Sequence, residues 1–470
     1  MTDFRRQSVA AWADDVRSGR VSSRELVQHA LDRIEALDEQ VNAFTAVDAD
    51  AAMAAAGAID ERVARGEDVG ELAGIPLAVK DLEDAAGFVT SKGSAAFADG
   101  PAAVADSVLV ARLKAAGCVV VGKTNTPELG WKADTTNSVF GATRNPFSLS
   151  RSPGGSSGGS AAALAAGMVP LATGSDGGGS IRIPAALCGM PGYKPSLGRV
   201  PTGGERAPDW HHLSTRGVMA RRLSDTVLAL DAVIGPDPCD LRSLPMPEPA
   251  WSAALEAAHV PMKVAWSPTL GYATVDDEVR RVCESAVGVL SSLGADVVEV
   301  GSVFPDDPVW PWLQLTSTYN LRTLAAYEGT DAWERIDPGL VRTLELATGL
   351  SAVDLVRAED VCHELNVRLV RLFHEVRVLV TPVVAGQTPV SGGFGRVNGA
   401  DEANWVRFTY PFNLTRSPAG TVCAGYTADG MPVGLQLVGP QHGDLVVLRT
   451  MAALETALGL DPVPAAFPLS

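Results

Sequence analysis

Three short segments carry residues that could move protons and attack a carbonyl. The first is GIPLAVKD (74–81), in which Lys80 ends an apolar run. The second is SRSPGGSSGGS (150–160), which sets Ser156 and Ser157 among glycines. The third is LATGSDGGGSIRIPA (171–185). It reads as a strand, a glycine-rich turn, then a helix from about Ile181, so Ser180 lies near a helix N-terminus. Backbone N–H groups point outward there and favour negative charge. Gly177, Gly178 and Gly179 let the backbone approach a substrate and turn N–H groups toward one point. Acyl transfer needs this combination of a hydroxyl nucleophile and an oxyanion hole. The serine also needs a base. No histidine falls in the three segments, so Lys80 is the remaining candidate. At the ordinary lysine pKa near 10.4 only roughly one side chain in 2,500 is neutral at pH 7, so burial must supply the shift.

Two other motifs compete for attention. GCVVVGKT (117–124) matches the GxxxxGK[ST] phosphate-binding pattern. That motif works when a strand precedes a loop and a helix opens at the lysine. Here the middle residues are themselves strand-like and Pro127 follows, so strand end plus turn is expected and nucleotide binding is the remote alternative. GGSSG (154–158) satisfies GxSxG, the nucleophile elbow of another hydrolase fold. The elbow needs a strand directly before it, and RNPFSLSRSP is not one. His363, His374 and His442 lie in no informative context.

The elements that must position these segments alternate. Residues 1–70 read as helices, with a Ser22/Glu25 capping box opening one of them. Residues 73–81 and 118–125 read as strands, with a helix over 107–117 between them. Later strands are expected at 262–268, 295–300, 376–384 and 431–440. A helix over 277–294 places Val279, Val282, Ala286, Leu290 and Leu293 on one face. Such alternation implies an α/β fold, a single large domain whose mixed central sheet is covered by helices on both faces. The expected organisation is an N-terminal helical segment (1–70) packed on a catalytic unit (71–470). Residues 301–350 and 385–410, richer in Pro, Gly and Trp, are expected as surface excursions near a pocket mouth.

In this setting the chain resembles the amidase signature family. GKTNTPE, GATRNPF, SPGGSSGGSAAA, GSDGGGSIRIPA, CG and YKPSLGRV follow in family order, and the resemblance runs from GIPLAVKD to PVGLQLVGP. Ser180 lies 24 residues after Ser156 and 100 after Lys80, close to the family's separations. The resemblance implies a Ser–cis-Ser–Lys triad: Ser180 as nucleophile, Ser156 as bridging serine after a cis Gly155–Ser156 peptide, and Lys80 as ultimate base. It implies oxyanion N–H groups from Gly177, Gly178 and Gly179, an orienting role for Ser157, and a structural pair of Asp176 with Arg182. Many members carry Thr or Ile where Gly177 stands, so the extra glycine predicts a looser loop. No metal or organic cofactor is implied.

The implied activity is hydrolysis of a carboxylic amide through an acyl-enzyme. Leu129, Gly130, Trp131, Trp210 and the stretch 308–316 are the expected pocket. Their tryptophans suit aryl or apolar amides, with carbamates and esters as chemical neighbours. The family also holds an amidotransferase subunit whose substrate is misacylated tRNA. The continuation TGGERAPDWHHLSTRGVMARRLSD (202–225) differs from that subunit's usual sequence and favours a free-standing monomer or homodimer. A net charge of −17 argues against nucleic acid or an anionic membrane as partner. MTDFRRQSVAAWADDV has no apolar h-region, the longest apolar stretch is too short to span a bilayer, and the six cysteines are scattered. A cytoplasmic protein with free thiols is expected.

Overall fold

The computed structural model describes residues 3–204, 207–255 and 257–469. Its mixed sheet is built as two hydrogen-bonded ladders. The first has five strands, ordered Phe44–Val47, Val119–Thr124, Pro76–Lys80, Leu171–Asp176, Thr215–Ala220. Pro76–Lys80 runs parallel to both neighbours, and the two outer strands pair antiparallel. The second has six, ordered Asp296–Glu299, Lys263–Trp266, Val378–Pro382, Pro432–Val438, Ala419–Tyr426, Gly192–Lys194. The ladders meet where Gly192–Lys194 lies against Thr215–Ala220.

Pro76–Lys80 is central and buried along its whole length, as a continuous apolar run between parallel neighbours must be. The helix Gly158–Ala165 packs on that ladder, and all its residues are buried. Its alanine-rich sequence fits because a close helix–sheet approach leaves no room for larger side chains. The capping box closes as expected: Ser22 caps the helix Ser23–Val41 and Glu25 reaches back.

Two expectations need correction, and one gains detail. Residues 1–70 are not wholly helical, because Phe44–Val47 forms an edge strand beside Val119–Thr124. Its core contact comes from Phe44 alone in a short strand, too little pattern to read. The excursion expected over 301–350 is largely helical, with Val309–Leu324 and Pro338–Thr348. Pro311 and Pro338 sit in first turns, where a missing N–H costs nothing. In the helix Asp277–Ser292, Leu293 lies beyond the end and is exposed, while Cys283 and Val287 are buried.

Candidate active site

Lys80 is the last residue of the central strand. Its own N–H donates to Thr173 Oγ1 at 2.8 Å, which ties it to the neighbouring strand. The side chain is fully buried. Its Nζ lies 2.7 Å from Ser156 Oγ, 2.9 Å from Ser157 Oγ and 3.0 Å from Ser175 Oγ. The adjacent carboxylate, Asp81, is taken by Lys123 at 2.9 Å in a buried pair. Among the described residues no carboxylate pairs with Lys80. Burial holds its pKa well below 10.5, and the charge of Arg216 pushes the same way against Glu83 and Asp176. Arg216 is itself ion-paired with Glu83. A neutral amine can accept a proton from any of the three hydroxyls around it.

The serine segment is held by backbone approach. The peptide Gly155–Ser156 is cis. A Cβ on Gly155 would stand 2.8 Å from Asp134 N and Lys132 O, so only glycine fits. Ser157 opens the buried helix but does not cap it. Its hydroxyl meets Lys80 instead, and its N–H donates to Ser180 O at 3.2 Å, joining the two serine segments. Ser180 and Ser156 line one small chamber, and Ser180 also lines the large cavity. The Ser180 hydroxyl itself bonds to no described residue.

Side chains from elsewhere hold the carbonyls of the glycine loop in place. Asn413 Nδ2 donates to Asp176 O at 2.8 Å, Trp312 Nε1 to Gly177 O at 3.0 Å, and Thr409 Oγ1 to Gly178 O at 2.6 Å. Asp176 and Arg182 pair at 2.8 Å, both fully buried. The guanidinium also reaches Gln436 and Asn413 and holds the Asp176 carboxyl below its usual range against the cost of burial. Gly179 departs from expectation. Its N–H donates to Asp176 Oδ1 at 2.9 Å, so it is not free to meet an oxyanion. Among the described residues no acceptor occupies the N–H groups of Gly177, Gly178 or Ser180. Nor is the loop loosened at Gly177: a Cβ there would meet the Trp210 ring at 2.5 Å, so an indole fills the space a side chain would take.

The large cavity measures about 670 Å³. Gly130, Trp131 and Trp210 line it, whereas Leu129 faces the smaller chamber, of about 40 Å³. Trp312, Trp405 and Tyr410 also line the cavity. Trp405 and Tyr410 carry no local signal in the sequence, and Trp312 lies in the stretch 308–316, which the sequence marks only as a whole. Within it Trp310 is exposed and Trp312 faces the site, because residues two apart on a helix point to nearly opposite sides. The phosphate-loop match dissolves: Lys123 is an interior strand residue bonded to Asp81. Among the described residues no cluster of three or more His, Cys, Asp or Glu could hold a metal ion, and no helix is long and apolar enough to cross a membrane.

The fold and site thus set a buried amine among hydroxyls, beside a glycine loop and an aromatic cavity, in one α/β unit. Residues 25–448 match the family model described as Amidase. An acylamidase of Rhodococcus erythropolis is 36% identical over 459 residues, spanning 95% of this chain and 94% of its own. A glutamyl-tRNA(Gln) amidotransferase subunit from Salinispora arenicola is 37% identical over 497 residues, spanning 99% and 100%. The structure of a bacterial aryl acylamidase of the amidase signature family superposes with a TM-score of 0.89 at 29% identity, covering 96% of each chain. The chain belongs to the amidase family, and it is a hydrolase acting on amides.

Proposed function

We propose that the protein is a free-standing amidase for aryl or otherwise apolar amides, acting through Ser180, Ser156 and Lys80. The observation that carries this is the bonding of Lys80: a fully buried amine on three serine hydroxyls with no carboxylate partner among the described residues. Neutral Lys80 takes the proton of Ser156, and Ser156 takes that of Ser180 as its Oγ attacks the carbonyl carbon. The carbonyl oxygen becomes an oxyanion facing Gly177 and Gly178. As the C–N bond breaks, the proton passes back through Ser156 to the leaving nitrogen. Water then attacks the acyl carbon, gives its proton to the same relay, and releases the acid and the Ser180 hydroxyl. Hydrogen bonds between catalytic groups often close only with substrate bound, which fits the unbonded Ser180.

Substrate class follows from the walls. Trp131, Trp210, Trp312, Trp405 and Tyr410 offer flat apolar faces, suited to an aromatic acyl or amine group. The names of the acylamidase and aryl acylamidase relatives point the same way. The Salinispora relative favours a second reading, a component of a tRNA-dependent amidotransferase. Purification separates the two: a lone chain active on anilides supports the first, and activity only with tightly bound partners supports the second.

The direct test of the site is Ser180→Ala. It is expected to lower anilide turnover by about 10³-fold or more with an unchanged circular dichroism spectrum. Turnover at the parent rate would remove Ser180 from the mechanism.

A further inference from the structure

We infer that Trp312 is a positioning residue that aims the Gly178 N–H at the reacting carbonyl. The inference rests on the Ser180 acyl-transfer reading and adds to it the group that sets its oxyanion donor. Gly177 O and Gly178 N–H belong to one peptide unit. A trans peptide is planar and its C=O and N–H point in opposite directions. The Trp312 Nε1 bond to Gly177 O, 3.0 Å long, therefore sets the direction of the Gly178 N–H.

This unit needs an outside holder. Between two glycines no Cβ resists rotation of the peptide plane, and a half-turn would present a carbonyl where the oxyanion must form. The following unit is held at both ends, by Thr409 at Gly178 O and by Asp176 at the Gly179 N–H. The Gly177–Gly178 unit has Trp312 alone among the described side chains.

The indole is itself fixed. A Cβ on Gly178 would stand 2.6 Å from Trp312 Cζ2, so the ring lies directly against the loop. It stacks on Tyr410 at 5.3 Å and 26° and meets Trp210 edge-on at 6.0 Å and 84°. Its helix, Val309–Leu324, comes from the part of the chain far from the serine and glycine motifs. Because the same ring walls the cavity, a substrate that packs on it presses on the group that sets the oxyanion donor.

The test compares Trp312→Phe, which keeps an aromatic wall and removes the N–H, with the parent. Both kcat and the affinity of an aldehyde analogue that adds to Ser180 are expected to fall in parallel by about 10–100-fold, less than losing an oxyanion donor outright. KM is expected to move by less than about threefold. Incorporating β-(3-benzothienyl)alanine at position 312, an isostere lacking only the N–H donor, should reproduce the loss; it also decides the matter if Trp312→Phe does not fold. A loss confined to KM, or unchanged aldehyde affinity in the isostere, overturns the inference. Failure of the underlying reading shows separately: in that case Ser180→Ala binds the aldehyde as tightly as the parent.

Discussion

At the scale of the residue, Lys80 sets the pH behaviour of the site. Its base function needs the neutral amine, and burial first, then Arg216, keeps its pKa well below 10.5. The profile of kcat/KM should therefore rise with pH on an acid limb far below the ordinary lysine range. Arg216→Met should move that limb to higher pH. The substitution removes a positive charge that opposes protonation and leaves Glu83, its ion-pair partner, as an uncompensated negative one. Both changes favour the ammonium form. A limb that stays in place, or moves down, would contradict this assignment of causes. Lys80→Arg should be more severe. A guanidinium stays charged at any working pH, so turnover should fall by about 10³-fold or more with no recovery at alkaline pH.

At the scale of the element, the glycine loop and two tryptophans form one fitted unit. Gly177 lies under Trp210 and Gly178 under Trp312. Gly177→Ala would place a methyl 2.5 Å from Trp210 Cε3. Overpacking of this kind costs typically about 1–3 kcal/mol. The cost should appear as a lower melting temperature together with reduced turnover. Trp210→Leu in the same chain should relieve much of it, so the two substitutions should couple favourably in a double-mutant cycle. Strict additivity would mean that Trp210 does not fill the place of a side chain at position 177.

At the scale of the whole molecule, the buried Asp225 and the half-buried Glu455 sit where the helices Leu223–Asp231 and Asp444–Leu458 meet, and Asp225 also reaches the N-terminal helix Val9–Arg17. Asp225 Oδ1 accepts from Val9 N at 3.0 Å. Burial raises the Asp225 pKa to about 6, against the Val9 N–H and Arg222. Glu455, on the helix Asp444–Leu458, is raised to about 7 by burial, with the Asp225 charge adding to it. Both raised values mean that the folded state binds more protons than the unfolded one between pH ~4 and those values. Their contribution to stability is complete below pH ~4 and is lost as pH rises through about 6 and about 7. Glu455→Gln removes one of the two. By calorimetry, the melting temperature of the parent minus that of the variant should fall as pH rises from ~4 to ~7. A flat difference would refute the assignment.

What the sequence determined by itself was the local chemistry and its alternation with regular elements. GIPLAVKD is a strand because its apolar run suits a fully buried parallel position. The glycine loop is a turn because only glycine tolerates such close approach. The order of short motifs pointed to Lys80, Ser156, Ser157, Ser180 and the Asp176–Arg182 pair, and the structure brings all of them together. These features are written in a few neighbouring residues each. The edge strand Phe44–Val47, the aromatic cavity and the three side chains holding the loop carbonyls are not. Trp312, Thr409 and Asn413 lie 135, 231 and 237 residues from their partners, and nothing in their own neighbourhoods marks them as holders of that loop. The same holds for Gly179: whether its N–H meets a substrate or the Asp176 carboxylate depends on how the turn is packed. Tertiary packing alone decided these points, because a hydrogen bond or a ring contact depends on distance in space and not on separation along the chain.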